Sequence, residues 1–412
     1  MKLPELDYRK VAIAIILILA TIFFAYLLYI LFFQTFIHPS QPQPNITGPE
    51  GTLPGTGGTG PHVITHTPTS TFPTASGGKT TPSASTVAHG GLTHTPTINQ
   101  TISDAITLNT TDGLQYYDRI NEQFYHIDAN GNAQPLTNTV FHDVQNVTWD
   151  KTSDKAILEY PDGSNVLYNF TTNKQITLPK HWQEFSFSPD GTQIAGKSIG
   201  TTPDNNWLFV ANADGTGAHT VEALGTNADR VNVKWSPNNQ VIGTYREDKG
   251  FDEQKLFFLG MHQENFKLTL VEGRDIRSIW KPDGTQLVYS AYTSANGYRP
   301  ELWVVDAQGD TIGNNRHNIG LQTWADKCTF GDTNTLYCAV PNNLPEQAGL
   351  YQELSYDIPD TIYKIDLVNG VKSIVGSPDA SVSIEQLVVT RNQDLLYFTD
   401  QKTGRLHTMK LK

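Results

Sequence analysis

The sequence predicts an all-β protein, a seven-bladed β-propeller preceded by one transmembrane helix and a disordered linker. Three observations predict it. A strand–turn–strand pattern recurs seven times from Leu108 to the end of the chain. An uncharged run spans Val11–Phe33, and between the two lies a stretch rich in Pro, Thr, Gly and Ser. The boundaries expected are a cytoplasmic tail at 1–10, the transmembrane helix at 11–33, an extracytoplasmic linker at 34–100 and the propeller at 101–412.

The run VAIAIILILATIFFAYLLYILFF is roughly 34 Å long as a helix, enough for a hydrocarbon core of about 30 Å. A single segment in lipid satisfies its backbone only as a helix, so the β-branched residues do not argue for a strand. Lys2, Arg9 and Lys10 precede the run, and only Glu50 and Lys79 carry charge from Gln34 to Gln100. The positive-inside bias therefore keeps the N-terminus cytoplasmic and sends the rest across the cell membrane, as a single-pass protein. A cleaved signal peptide is the rival reading; the run is longer than a usual signal core and no A-x-A site follows it.

Residues 34–100 cannot bury enough apolar surface to offset the entropy of ordering them, and their Pro/Thr mixture suits a spacer. The stretch also has the composition of an O-glycosylated stalk, and N-x-[ST] sequons stand at Asn45, Asn99, Asn109, Asn146 and Asn169. Histidines at 62, 66, 89 and 94 lack the fixed geometry a metal site needs. Across the whole chain, 29 basic residues against 41 acidic ones leave a charge of −12, which argues against a nucleic-acid partner.

The repeats are clearest in FSPDGTQIAG from Phe187, WSPNNQVIGTY from Trp235 and WKPDGTQLVYS from Trp280. Looser copies begin at Leu108, Trp149, Phe330 and Val389. Pro-Asp-Gly and Asn-Asn meet the demands of a tight hairpin, since Pro presets φ and Gly or Asn accepts a positive φ. A second hairpin follows each first, as in LFVANADG and LWVVDAQG. Four short strands per 40–50 residues is the signature of a propeller blade. A lone blade cannot cover both faces, so Trp149, Phe187, Trp235, Trp280 and Phe330 are expected to be buried between blades.

FSPDGTQIA, WSPNNQVIG and WKPDGTQLVYS resemble the WD40-like repeats of TolB-type β-propellers, usually extracytoplasmic in bacteria. The resemblance covers roughly 101–412 and implies a fold and a habit of binding partners, not a reaction. The last repeat ends before a fourth strand, while extra residues precede the first, around 91–98. An N-terminal strand is therefore expected to complete the last blade and remove its open edge. Six blades result instead if the segment near Leu108 is only this closing strand.

No catalytic residues, cofactor or metal ligands are assigned. Gly191–Ser198 matches G-x-x-x-x-G-K-[ST], and Gly196–Gly200 matches G-x-S-x-G, but both chemistries need a turn leading into a helix. Here Gly191 is a hairpin glycine. Cys328 and Cys338 flank one turn symmetrically and would face each other across a hairpin, as a disulfide or as two small buried thiols.

Long connections between second and third strands are expected in four consecutive repeats, at 198–206, 245–254, 291–300 and 340–360. They carry Trp207, Arg246, Asp248, Phe251, Tyr292, Tyr298, Arg299, Tyr351, Glu353, Tyr356 and Asp357. Aromatics and arginine on loops at one end of the ring make an interaction face, and removal of 342–355 is expected to spare folding. The competing reading is that the loops only cover one another. The function expected is a membrane-anchored extracytoplasmic scaffold binding a protein or glycan partner. A lyase- or glycosidase-type enzyme at the central funnel and an extracellular sensor are the alternatives.

Overall fold

The computed structural model describes residues 17, 19, 21, 23–26, 83–128 and 131–412. The chain divides into two compact units, Met1–Ser76 and Gly77–Lys412. In the first, Leu17, Leu19, Thr21 and residues 23–26 are helical with exposed side chains. The rest of the expected membrane span, and the linker up to residue 82, lie outside the described residues. Among the described residues no helix is long and apolar enough to cross a membrane.

The described residues of the second unit form seven sheets, six of four strands and one of five. In chain order the blades span 103–135, 146–178, 182–223, 231–272, 274–318, 328–378 and 384–410. The segment near Leu108 builds a full blade of its own, which settles the count at seven rather than six. Turn chemistry starts each hairpin. In blade three, Asp190 accepts hydrogen bonds from Ser188 Oγ (2.6 Å), Thr192 N (3.1 Å) and Thr192 Oγ1 (2.9 Å), and Gly191 takes φ +68°. Asp283, Thr285 and Gly284 repeat the arrangement in blade five.

Why the sheets stack radially is visible in the second strands. Successive side chains of a strand point to opposite faces. Leu336, Cys338 and Val340 pack against blade five, whereas Tyr337 and Ala339 pack against blade seven. Seven such apolar clusters bridge seven pairs of neighbouring blades, including the seam between the last and the first. A seventh seam exists only if the ring closes. The aromatic anchors sit in these clusters as expected. Phe187 and Trp235 are buried core members, and Trp149, Trp280 and Phe330 pack against the cores from their margins.

Closure uses the segment before residue 101. Thr97–Asn99 pairs antiparallel with Leu406–Lys410 and supplies the fourth strand of blade seven. Leu92–Thr93 adds a parallel strand to the outer edge of blade six, at Ser377 and Pro378. The turn between the two strands is fastened by Asp379, which takes His94 Nδ1 (2.7 Å), Thr95 N (3.0 Å) and Thr95 Oγ1 (2.8 Å). One short segment thus staples two blades.

Candidate functional site

Connections between second and third strands gather at one end of the ring, because every blade runs its first strand away from that end and its second strand back. Their lengths differ sharply. Blades one, two and seven use residues 119–122, 160–164 and 401–405, whereas blades three, five and six use 199–206, 293–300 and 342–359.

Blade four departs from the expected long loop. Gly243–Asp248 and Glu253–Leu259 pair along their full length, leaving only 249–252 as a turn. The reason is cross-strand chemistry: Glu247 faces Lys255 with a 3.0 Å ion pair, and Asp248 accepts from Gln254 Nε2 at 2.8 Å. That hydrogen bond, helped by Arg274, holds the Asp248 carboxyl below the usual carboxylate range. Arg246 and Asp248 are therefore strand residues. Trp207 is likewise a strand residue, half-buried opposite Ser198 and Ala223.

The remaining candidates come together across blades four, five, six and seven. Phe251 crowns the blade-four turn at 67% exposure, with the Arg274 guanidinium 5.6 Å from its ring centre. The next residue, Asp252, accepts Ser294 N at 3.0 Å from the loop of blade five. Tyr292 and Tyr298 meet edge to face with ring centres 6.2 Å apart. Gly349 of blade six lies against them so closely that a Cβ there would stand 2.5 Å from Tyr292 Cδ1. Arg299 donates from Nε to the Leu344 carbonyl (2.8 Å) and pairs with Glu346 at 3.7 Å. Asp357 pairs with Lys402 of blade seven.

The blade-six loop is consequently part of the fold. Leu344 and Ala348 form a buried cluster with Trp324, and Ser355 is fully buried. Its short helical turn, Gln352–Ser355, is gripped from the innermost strand of blade five: Arg277 Nη1 donates to Gln352 Oε1 at 2.8 Å while Nε holds Asp275 at 3.0 Å. These contacts argue against the expectation that 342–355 can be removed without cost to folding. What the loop leaves outside is apolar: Leu350 (46% exposed), Tyr351 (53%), Leu354 (47%) and Tyr356 (39%), with Glu353 exposed among them. Leu350, Leu354 and Arg277 escaped the sequence reading. The run LYQELSY carried a signal for the leucines, since its apolar residues recur at one-turn spacing; nothing marked Arg277.

Carboxylates sit beside the innermost strands. Bulges at Glu184 and Asp275 give these non-glycine residues φ +53°. Glu184 is paired with the buried Lys197 at 2.7 Å, and its backbone N–H donates to Glu159 Oε1 at 3.2 Å. Burial, with the negative charge of Glu184 adding to it, pushes the Glu159 carboxyl above its ordinary value. Burial also raises Glu385, with the charge of Asp104 acting in the same direction. The phosphate-loop look-alike Gly191–Ser198 and the nucleophile-elbow look-alike Gly196–Gly200 overlap on Gln193–Ser198, a plain strand with Lys197 committed to Glu184. Among the described residues no group of three His, Cys, Asp or Glu is placed to hold a metal ion. Cys328 and Cys338 lie directly opposite in the first hairpin of blade six and are joined as a disulfide.

No family model matches the chain, and no curated protein matches it. Solved structures do. An oligogalacturonate lyase in complex with manganese aligns at 12% identity over 77% of this chain and 93% of its own, with a TM-score of 0.51. The Swd1 β-propeller domain from Myceliophteria thermophila aligns at 10% identity over 77% of this chain and 100% of its own, with a TM-score of 0.50. TolB from Acinetobacter baumannii aligns at 12% identity over 66% of this chain and 62% of its own, with a TM-score of 0.40. At these identities the likeness is one of fold. The chain is a seven-bladed β-propeller, and the resemblance to TolB-type propellers rests on its repeats FSPDGTQIA, WSPNNQVIG and WKPDGTQLVYS.

Proposed function

We propose that the chain is a single-pass membrane protein whose propeller lies outside the cytoplasm and binds a protein partner through the loop face of blades four to six. The observation that carries the reading is the set Leu350, Tyr351, Leu354 and Tyr356, exposed on a loop whose underside is fastened by buried contacts. Apolar and aromatic groups held rigidly at a surface lose little entropy on docking, which is the property of interaction hot spots. Glu353 and Glu346 give the patch an acidic rim, suited to a partner with basic residues around an apolar centre. A surface glycan stacking on Tyr351 and Tyr356 is the narrower variant of the same reading.

Support for the location comes from the uncharged run at 11–33 behind a basic tail, and from the disulfide, which suits an oxidising compartment. The enzyme alternative rests on the raised carboxyls of Glu159 and Glu385. Two measurements test the proposal. Protease added to intact cells should digest the propeller and spare the N-terminal tail. Capture of partners by the intact protein should fall on Tyr351→Ala with Leu354→Ala while the melting temperature holds. A protected propeller, or capture indifferent to both substitutions, refutes it.

A further inference from the structure

The face of blade four that meets blade five gathers cations whose charge is not balanced. Leu256 packs in one cluster with Ile276 and Leu287 of blade five, so alternate residues of its strand share that face. Arg246 stands opposite Leu256 and Asp248 opposite Gln254, which puts all three polar side chains on it. Val231 pairs with Tyr245, so Arg230 comes level with Arg246. Arg274 opens the facing strand of blade five, with Nη1 3.7 Å from Asp248 Oδ1.

Three guanidiniums thus act on one carboxylate. The Gln254 hydrogen bond holds the Asp248 carboxyl below the usual carboxylate range, and the charges of Arg274, Arg230 and Arg246 work in the same direction. Arg274 is spent: Nε donates to the Phe251 carbonyl and Nη2 to the Gly250 carbonyl at 2.9 Å. Arg230 and Arg246 are not. Among the described residues neither donates a side-chain hydrogen bond or makes an ion pair, although Arg246 is half-buried. Of the nearby carboxylates, Asp275 is held by Arg277 at 3.0 Å, and the exposed Asp229 pairs with neither arginine. In a chain of charge −12, such a surplus of cations runs against the average.

Gln254 supplies the second and independent observation. It is 9% exposed, its Nε2 is committed to Asp248 at 2.8 Å, and its Oε1 is buried without a hydrogen-bond partner. Buried acceptors are normally bonded, so a lone one among cations is completed by an anion that brings its own proton. Sulfate and carboxylate bring none at neutral pH. Hydrogenphosphate brings both parts, anionic oxygens for the forked guanidinium donors and one P–OH.

We infer that this face of blade four binds hydrogenphosphate. Its anionic oxygens take N–H groups of Arg230 and Arg246, and its P–OH donates to Gln254 Oε1. The Asp248 carboxylate is a second acceptor there and repels anions that carry no proton. A phosphodiester has no proton to give, and a phosphomonoester loses its last one at about pH 6. None of the exposed patch on blade six takes part, so this site and the proposed partner face stand or fall separately.

The test is titration calorimetry of the full chain in non-ionic detergent at low salt and about pH 8. Sodium phosphate is the probe, with sodium sulfate and dimethyl phosphate as comparisons. Saturable binding of phosphate is expected, roughly tenfold or more tighter than either, because an analogue without the proton leaves Gln254 unpaired. Arg246→Gln should weaken phosphate about tenfold, the scale of one lost charge contact at about 1.4 kcal/mol. Arg230→Gln should weaken it several-fold and, at an exposed position, keep the parent's melting temperature. Gln254→Met, close in shape but without the acceptor, should cut the preference for phosphate over sulfate, whereas Arg246→Gln weakens both anions alike. That change in ratio is not what a loosened hairpin gives. No saturable heat with phosphate, sulfate bound as tightly as phosphate, or phosphate affinity unchanged in both arginine variants overturns the inference. Dimethyl phosphate binding as tightly would assign the arginines to a phosphodiester, such as a lipid headgroup, and overturns it as well.

Discussion

Removing the charge of Lys327 gives the sharpest test of how the blades are fastened. Its Nζ lies 2.7 Å from Asp360 Oδ2, and the two side chains are 3% and 0% exposed. The same oxygen accepts Ile384 N from blade seven at 2.6 Å, so the pair ties blade six to the start of its neighbour. Asp360 Oδ1 has no partner. Breaking a buried pair by deleting one member typically costs about 3–5 kcal/mol, because the other charge stays behind without its counterion. At about 2.1 cal/mol/K of unfolding entropy per residue, some 330 residues lose roughly 4–7 °C of melting temperature. Lys327→Met should show that loss in thermal unfolding.

The pH dependence has a definite sign. Burial raises the Asp360 carboxyl above its ordinary value even with Lys327 beside it. The folded state then binds this proton more readily than the unfolded chain, so the group favours folding below about pH 4. That contribution falls as pH rises through the folded value. Without Lys327 the cost of charging Asp360 grows, and the variant should lose more at pH 7 than at pH 4. The double variant Lys327→Met with Asp360→Leu should recover most of the deficit, less the Ile384 hydrogen bond. A single variant melting within about 1 °C of the parent, or a double variant no better than the single, would refute the assignment.

Four further outcomes are expected. Cys328→Ala with Cys338→Ala should cost roughly 2–3 kcal/mol in chemical denaturation, the entropy of closing a ten-residue loop; an unchanged midpoint would deny the disulfide any role in stability. Asp379→Ala removes the anchor of His94 and Thr95, so residues 83–99 should exchange amide hydrogens faster while the cores of blades two to four keep their protection. The Asp190 carboxyl is held down to about 2 by Ser188 and Thr192. A lowered folded value stabilises above the unfolded one and is lost as pH falls from about 4 toward 2, so Asp190→Ala should narrow its gap to the parent over that interval. Arg277→Met should loosen the 342–359 loop, seen as faster proteolysis there, because Gln352, Asp275 and Asp326 all lose their partner.

Much of this architecture was legible in the chain because turn chemistry is local. Pro189-Asp190-Gly191 and Pro282-Asp283-Gly284 announce hairpins whatever surrounds them, and the anchors before them recur once per blade. The closing strand was legible too, as a missing partner at one end and surplus residues at the other. Tertiary decisions were not. That Tyr245–Asp248 would extend a strand depended on Lys255 and Gln254 arriving opposite. The parallel strand at Leu92–Thr93 needed the outer edge of blade six, which no local pattern describes. At the candidate face, the aromatic residues were readable from loop composition, but the underside that fixes them was not. Leu344 and Ala348 look like ordinary loop residues until Trp324, some twenty positions earlier, is packed against them.

The most direct measurement of the central claim is photo-crosslinking in intact cells from two positions on the same blade. One photoreactive residue replaces Tyr351 on the loop face; the other replaces Val368, which is 75% exposed on a turn at the far end of blade six. A discrete adduct from position 351, absent from 368 and formed by a protein accessible outside the cell membrane, is the predicted result. The same adducts from both positions, or none from 351, would contradict the claim that this face is built for a partner.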